Sequence, residues 1–300
     1  MDLITMTATP HILMARPTHY EVAYEINPWM KPAAWRGGGA ASSLAAERSW
    51  LALRGALEAG GAKVHAMAGV PGVPDLVFPA NAAVVLNRTA LLARFRHPQR
   101  QAEEPHNLAA LENLRAAGVL DQIVTFDDDI RQEGAGDCIW DATRRLFWVA
   151  SGPRSSPRSV ARIAEVFGEE VAHMPLATER YYHLDTCFCP LSGGEVLYYP
   201  PALSEEALAA LYSRTSPDQR LIASDEDAEA FCVNAVSIGR DVIMARPPAR
   251  LATRLAERGY RVVSVDLDPF LLSGGGAFCM TLRLDLASEA ALAAPARLTA

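Results

Sequence analysis

In the run His183-Leu184-Asp185 an imidazole and a carboxylate stand two residues apart. If the run is extended, the alternation of side chains along a strand puts both on one face. Cys279 ends the run Ser273-Gly274-Gly275-Gly276-Ala277-Phe278-Cys279. Glycine lets backbone approach a bound group closely, so the thiol sits at the edge of a turn suited to such an approach. A histidine, a carboxylate and a thiol facing one pocket suit covalent attack on a cationic, carbon-centred electrophile, and a guanidinium is the obvious candidate. The attacking species is the thiolate, a minor form for a free thiol of pKa about 8.5, and a cationic substrate would favour it.

Each residue also has a plainer reading. A lone cysteine is most often a small buried hydrophobe. A histidine beside Tyr181 and Tyr182 is commonly a satisfied structural residue. His183, Cys187 and Cys189 could be ligands to a metal, but the spacing is not that of a Cys-x-x-Cys zinc site and no fourth ligand follows. The sequence therefore calls for no metal and no cofactor.

Two further segments carry polar residues in apolar surroundings. Glu133-Gly134-Ala135-Gly136-Asp137 sets two carboxylates around glycines. It is a polar turn or part of a site. It is not a dinucleotide fingerprint, because Ile139 stands where the third glycine belongs. Pro74-Asp75-Leu76-Val77-Phe78-Pro79-Ala80-Asn81 runs into an apolar stretch, with Asp75 and Asn81 as its polar ends. Buried polar groups need partners, and a pocket edge supplies them. Arg94, Arg96 and Arg100 follow; arginine forks bind carboxylates bidentately, although most arginines are solvated.

The elements that must hold these residues alternate. Strands are expected at 11–14, 77–78, 82–86, 90–93, 123–126, 146–149, 196–199, 234–238, 242–244 and 261–265. Helices are expected at 44–58, 107–117, 159–167, 204–212 with Ser204 as N-cap, and 248–258, most of them ending at a glycine. This excludes an all-α or all-β fold. Residues 31–43, rich in Gly, Ala and Ser, read as a mobile flap. The alanine-rich tail from Ser288 reads as disordered or as a short helix.

The chain has 300 residues, half of them hydrophobic, with a formal net charge of −7. That is enough for a sizeable core, and one domain over 1–300 is expected. The acidic balance and the lack of a long basic run argue against nucleic acid and anionic membranes as partners. No apolar run reaches the roughly 18 residues of a membrane span, and Met1-Asp2-Leu3-Ile4-Thr5 lacks the features of a signal peptide. Five cysteines, an odd number, fit a reducing cytoplasm. A homo-oligomer is compatible with the sequence but not specified by it.

Taken together and in order, these motifs resemble the guanidine-modifying superfamily of arginine deiminases, dimethylarginine dimethylaminohydrolases, amidinotransferases and arginine dihydrolases. The resemblance runs from Ile12 to Leu284. It implies an α/β fold, the five-bladed α/β propeller (pentein), each blade a ββαβ unit. It implies Cys279 as nucleophile, His183 as general acid and base, and Glu133 as the carboxylate that orients His183. This chain has Glu-Gly-Ala-Gly-Asp where the family usually has acid-Gly-Gly-acid, so Asp137 competes for that last role. Asp185 would hold the guanidinium, and Asp75 is counted among the substrate-binding residues. Arg100, and less directly Arg154, fall where dimethylargininases hold the substrate α-carboxylate. The segment Glu25-Ile26-Asn27-Pro28-Trp29-Met30 resembles the substrate loop of arginine dihydrolases and points to Asn27 as a contact. The deiminase pattern Phe-x-x-Asp reads Phe78-Pro79-Ala80-Asn81 here, and arginine dihydrolases also carry asparagine at that place. A neutral amide both donates and accepts, so it suits a guanidinium and a neutral ureido group alike. The implied activity is conversion of L-arginine to ornithine, ammonia and carbon dioxide through a thiouronium adduct. A dimethylargininase, a citrulline-forming deiminase, an amidinotransferase and a non-catalytic pentein are the alternatives.

Overall fold

The computed structural model describes residues 9–288. Its strands form five three-stranded sheets among the described residues. Every sheet has the same plan: two antiparallel strands, then a helix, then a third strand parallel to the second. A parallel neighbour cannot be reached by a tight turn, so each third strand needs a helical crossover. The first repeat comprises Ala83–Leu86, Thr89–Leu92, helix Glu104–Ala116 and Gln122–Thr125. The second comprises Cys138–Asp141, Leu146–Ser151, helix Ser159–Phe167 and Glu170–Pro175. The third is Phe188–Pro190, Val196–Tyr198, helix Glu205–Tyr212 and Arg220–Ile222. The fourth is Val236–Ile238, Asp241–Ala245, helix Ala249–Glu257 and Arg261–Val265. The fifth joins both ends of the chain. Leu282–Arg283 pairs antiparallel with His11–Ala15, which pairs parallel with Lys63–Met67 across helix Ala40–Ala59.

The second strand of each repeat is buried almost throughout, and these are the continuous apolar runs of the sequence. The third strands are half-exposed edges. Three of them, Lys63–Met67, Glu170–Pro175 and Arg220–Ile222, carry charged residues and were not expected as strands.

Three sequence expectations are corrected. Residues 31–43 are no flap: Pro32–Gly38 is a helix with proline in its first turn, and Trp35 is buried against Tyr20 at a ring separation of 4.8 Å. Gly39, at φ 52°, breaks it from the helix Ala40–Ala59. The expected strand at 77–78 is instead a pair of 3-10 turns, Pro74–Val77 and Pro79–Ala82. A proline early in each turn has no N–H to give to a strand ladder. His183 is extended, but Leu184–Thr186 is also a 3-10 turn, so His183 and Asp185 are not on one strand face. In the tail, Ser288 is tied to Asn87 by two hydrogen bonds; the rest of that reading, and the one at Met1–Thr5, lie outside the described residues. No helix among the described residues is long and apolar enough to cross a membrane.

Candidate functional site

Cys279 follows the glycine turn and is 2% exposed. Its Sγ lies 3.1 Å from Asp185 Oδ2, to which the thiol donates, and 3.1 Å from Asn234 Nδ2. Two residues before Asp185, the His183 ring places Nε2 2.8 Å from Glu133 Oε2. The 3-10 turn explains this split. Successive side chains on such a turn point about a third of a revolution apart, so Asp185 reaches the sulfur while His183 reaches the carboxylate. The nearest oxygen of Asp137 is 3.9 Å from His183 Nε2. Asp137 instead accepts from Ser155 Oγ and from the Leu184 backbone N–H. Of the two carboxylates around the glycine turn, Glu133 makes the bond to the imidazole.

The glycines between them are steric necessities. Gly134 has φ 64°, and a Cβ there would fall 2.5 Å from Ala80 O. A Cβ on Gly136 would fall 2.3 Å from Asn81 Nδ2 and 3.4 Å from His183 Nδ1. Asn81 and His183 thus converge on Gly136. The Asn81 amide is fixed at both ends: Nδ2 donates to Glu133 O at 2.8 Å and Oδ1 accepts from Arg100 Nη1 at 2.9 Å.

Charge in the site is balanced by burial and pairing. Burial raises the Glu133 carboxyl, but the Arg154 guanidinium 3.0 Å away and the His183 hydrogen bond outweigh it and hold the group well below the carboxylate range. Burial pushes Asp185 up to about 7 and Asp137 up to about 6. It also raises Asp75, against the pull of Arg100. The Cys279 thiol is pushed well up by burial and then by the Asp185 charge. Asp75 Oδ2 accepts from Tyr24 OH at 3.0 Å. Asp75 Oδ1 and Asp185 Oδ1 are buried with no hydrogen-bond partner among the described residues. Such oxygens are costly, and each is free to accept from an N–H donor.

The two arginines are placed differently. Arg100 is 3% exposed, and its fork is held by both oxygens of Glu103, at 2.6 and 2.9 Å. With Asn81 also on Nη1, this guanidinium is committed to protein groups and does not stand out as a carboxylate receptor. Arg154, the weaker match, is just as buried at 2% exposed, with Nη1 donating to Glu133 Oε2 and Nη2 to Ile26 O, both at 3.0 Å, but unlike Arg100 it lines a cavity of about 480 Å³ together with Asn27, Arg96, His97, Thr178 and Tyr182. Its Cζ lies 4.7 Å from the Tyr182 ring centroid. Asn27 is on the same wall, but its amide is spent on the chain itself: Nδ2 donates to Ser273 O and Oδ1 accepts from Trp29 N–H. It ties the 25–30 segment to the glycine turn. Tyr182 OH donates to Gly274 O and secures the same turn from the other side.

Cys187 and Cys189 are buried and donate to Leu184 O and Ala235 O respectively. Among the described residues no three His, Cys, Asp or Glu side chains are grouped to hold a metal.

Sequence reasoning missed Tyr24, Glu103 and Asn234. Tyr24 lies next to the segment that was singled out. Glu103 follows Arg100 by three residues, a spacing that places the two side chains together on a helical turn. Asn234 was read as the start of a strand; the strand begins two residues later, at Val236.

The eukaryotic N,N dimethylarginine dimethylhydrolase family is matched over residues 38–286. The bifunctional arginine dihydrolase/ornithine cyclodeaminase ArgZ of Synechocystis is 39% identical over 273 residues, covering 91% of this chain and 37% of that protein. The chain thus spans little more than a third of that relative's length. The N(G),N(G)-dimethylarginine dimethylaminohydrolase of Mycobacterium tuberculosis is 33% identical, covering 92% of this chain and 86% of that protein. The crystal structure of the N-terminal domain of ArgZ, an arginine dihydrolase from the ornithine–ammonia cycle in cyanobacteria, bound to substrate, superposes with a TM-score of 0.87 at 38% identity. That match covers 93% of this chain and 99% of the solved one, and the same domain has been solved covalently bonded to a reaction intermediate.

Proposed function

The chain belongs to the N,N-dimethylarginine dimethylhydrolase family of the guanidine-modifying superfamily, and from that premise we propose that it is an amidine hydrolase acting as an arginine dihydrolase. The Cys279 thiol gives up its proton to His183 as the sulfur attacks the guanidinium carbon of L-arginine, and His183 delivers that proton to the departing nitrogen, which leaves as ammonia and leaves a thiouronium adduct. Because Nε2 is held by Glu133, Nδ1 is the nitrogen that moves protons. His183 then activates water, which displaces the sulfur and leaves citrulline. A second round on the ureido carbon consumes another water and yields ornithine, a second ammonia and carbon dioxide.

The observation that carries this reading is the pair of unpartnered carboxylate oxygens, Asp75 Oδ1 and Asp185 Oδ1, the latter on the group that touches Cys279 Sγ. Two buried acceptors suit the N–H edges of an unsubstituted guanidinium, whereas a methylated nitrogen has fewer protons to give. Asn81, amide rather than carboxylate, tolerates the neutral citrulline as well as the cation. Arg154, facing the larger cavity, takes the α-carboxylate. The covalent adduct captured in the related domain supports the thiol chemistry.

We also read the five repeats as blades of one closed propeller in a single domain. A second cavity of about 240 Å³ is lined by Val84, Cys138, Cys189, Val236 and Leu282, one residue from the first strand of every repeat, as strands set around a common axis would do. Five free cysteines fit a reducing, cytoplasmic setting.

Product analysis tests the reading. Purified protein given L-arginine yields ornithine, and Cys279→Ala yields nothing. Citrulline as sole end product would make it a deiminase. Dimethylargininase activity is the second reading, favoured by the matched family; release of dimethylamine from asymmetric dimethylarginine, faster than ornithine from arginine, would establish it.

A further inference from the structure

Asn234 is fully buried, and its amide makes three contacts in the site. Oδ1 accepts from the Cys279 backbone N–H at 3.2 Å. Nδ2 donates to Asp185 O at 3.0 Å and approaches Cys279 Sγ at 3.1 Å. These partners fix the amide's orientation. Turned over, its nitrogen would face the Cys279 N–H, donor against donor, and its oxygen would face the Asp185 carbonyl, acceptor against acceptor. The Asn234 amide therefore presents the sulfur with its N–H and not with its oxygen. From the thiol reading above, we propose that Asn234 is a catalytic residue, whose amide N–H stabilises the Cys279 thiolate at the moment it forms and attacks.

The sulfur needs such a donor. Its other close polar neighbours are the Gly276 backbone, whose hydrogen bond favours the charge, and the carboxyl of Asp185, which opposes a negative charge beside it. Among the described residues, Asn234 is the side chain that donates to this sulfur. A buried anion without a donor is expensive, and a preorganised amide aimed at developing charge stabilises it without reorganisation.

The surrounding backbone is shaped to keep Asn234 in place. Three residues earlier, Phe231 is buried at φ 59°, a left-handed conformation that a bulky residue adopts only under strain. Its ring is locked edge-on against Trp29 at 5.0 Å. On the opposite side, a Cβ at Gly276 would lie 2.8 Å from Asn234 Oδ1 and 3.0 Å from Phe231 Cδ1. The third glycine of the turn is thus required by Asn234 and its neighbour.

The test is the pH dependence of Cys279 alkylation by iodoacetamide, assigned to the residue by peptide mass spectrometry, in wild type, Asn234→Ala and Asn234→Asp. In Asn234→Ala the Cys279 titration moves up by at least about one pH unit, so that alkylation at pH 7 slows about tenfold. In this variant kcat falls at least as far, with KM within threefold of wild type. Asn234→Asp keeps the shape, replaces the donor with a carboxylate, and moves the titration further. A purely structural Asn234 would lower the melting temperature and leave the thiol titration unmoved, and that result overturns the proposal. Loss of cooperative melting in both variants overturns it as well. If wild-type Cys279 is not alkylated, or if Cys279→Ala still turns over arginine, the thiol reading itself fails, and this inference with it.

Discussion

Replacing Asp185 by asparagine should stabilise the protein in alkali while crippling it. Asp185 is buried, and burial raises its carboxyl from an ordinary value of 3.8 to about 7. A group with a raised folded value binds its proton more tightly in the native than in the unfolded state. Between pH 4 and 7 the native state therefore holds the extra proton, and stability falls as pH rises through that window. Each unit of displacement is worth about 1.4 kcal/mol, so at pH 8 the ionised carboxylate costs the native state on the order of 4 kcal/mol relative to pH 4. Asparagine has nearly the same shape, its oxygen still accepts the Cys279 S–H, and it carries no titrating proton. Urea denaturation at pH 4.5 and pH 8 measures the difference. Asp185→Asn should be close to wild type at the lower pH and more stable by several kcal/mol at the higher. It should also lose on the order of a hundredfold in kcat/KM for arginine, the worth of a charge-assisted hydrogen bond to the guanidinium. A stability difference that does not widen between the two pH values would refute the claim that burial holds this carboxyl up.

The same logic predicts proton release on binding. At pH 6 the arginine cation should draw Asp185 into its carboxylate form, and calorimetry of the Cys279→Ala variant in buffers of different ionisation enthalpy should show up to one proton released per arginine bound. Arg154→Met should raise KM for arginine far more than for agmatine, which lacks the carboxylate. It should also cost about 3–5 kcal/mol in urea, because Glu133 then loses its buried partner. Glu103→Gln, by loosening the Arg100 fork that holds Asn81 Oδ1, should raise the fraction of citrulline released relative to ornithine, read by chromatography of products.

The regular framework was legible because its strongest signals are local. The second strand of each repeat is buried on both faces and reads as an apolar run. The helices Glu104–Ala116, Ser159–Phe167 and Glu205–Tyr212 lie within a few residues of their expected ends, since caps and glycines mark them. Three of the third strands, Lys63–Met67, Glu170–Pro175 and Arg220–Ile222, were not legible, because an edge strand such as Lys63–Met67 is held by its buried neighbour rather than by its own composition. The segment at 31–43 misled for a related reason: its glycines suggested mobility, while Trp35 is anchored by Tyr20, a residue outside the segment.

Residue types and glycine spacing drew attention to Cys279, His183, Asp185, Asn81, Asp75 and the turn from Glu133 to Asp137, and the resemblance to the guanidine-modifying superfamily supplied their expected roles. What each touches was decided by the tertiary structure. Glu133 rather than Asp137 meets His183 because Ser155 and the Leu184 N–H occupy Asp137. Both arginines are held by protein groups, Arg100 by Glu103 and Asn81 and Arg154 by Glu133 and Ile26 O, and Arg154 is the one that lines the cavity. Asn234 reaches the sulfur from another repeat, 45 residues away in the chain. A side chain's chemistry is a property of its type, but its hydrogen-bond partner and the charge it feels depend on which distant groups share its burial, and folding alone brings those together.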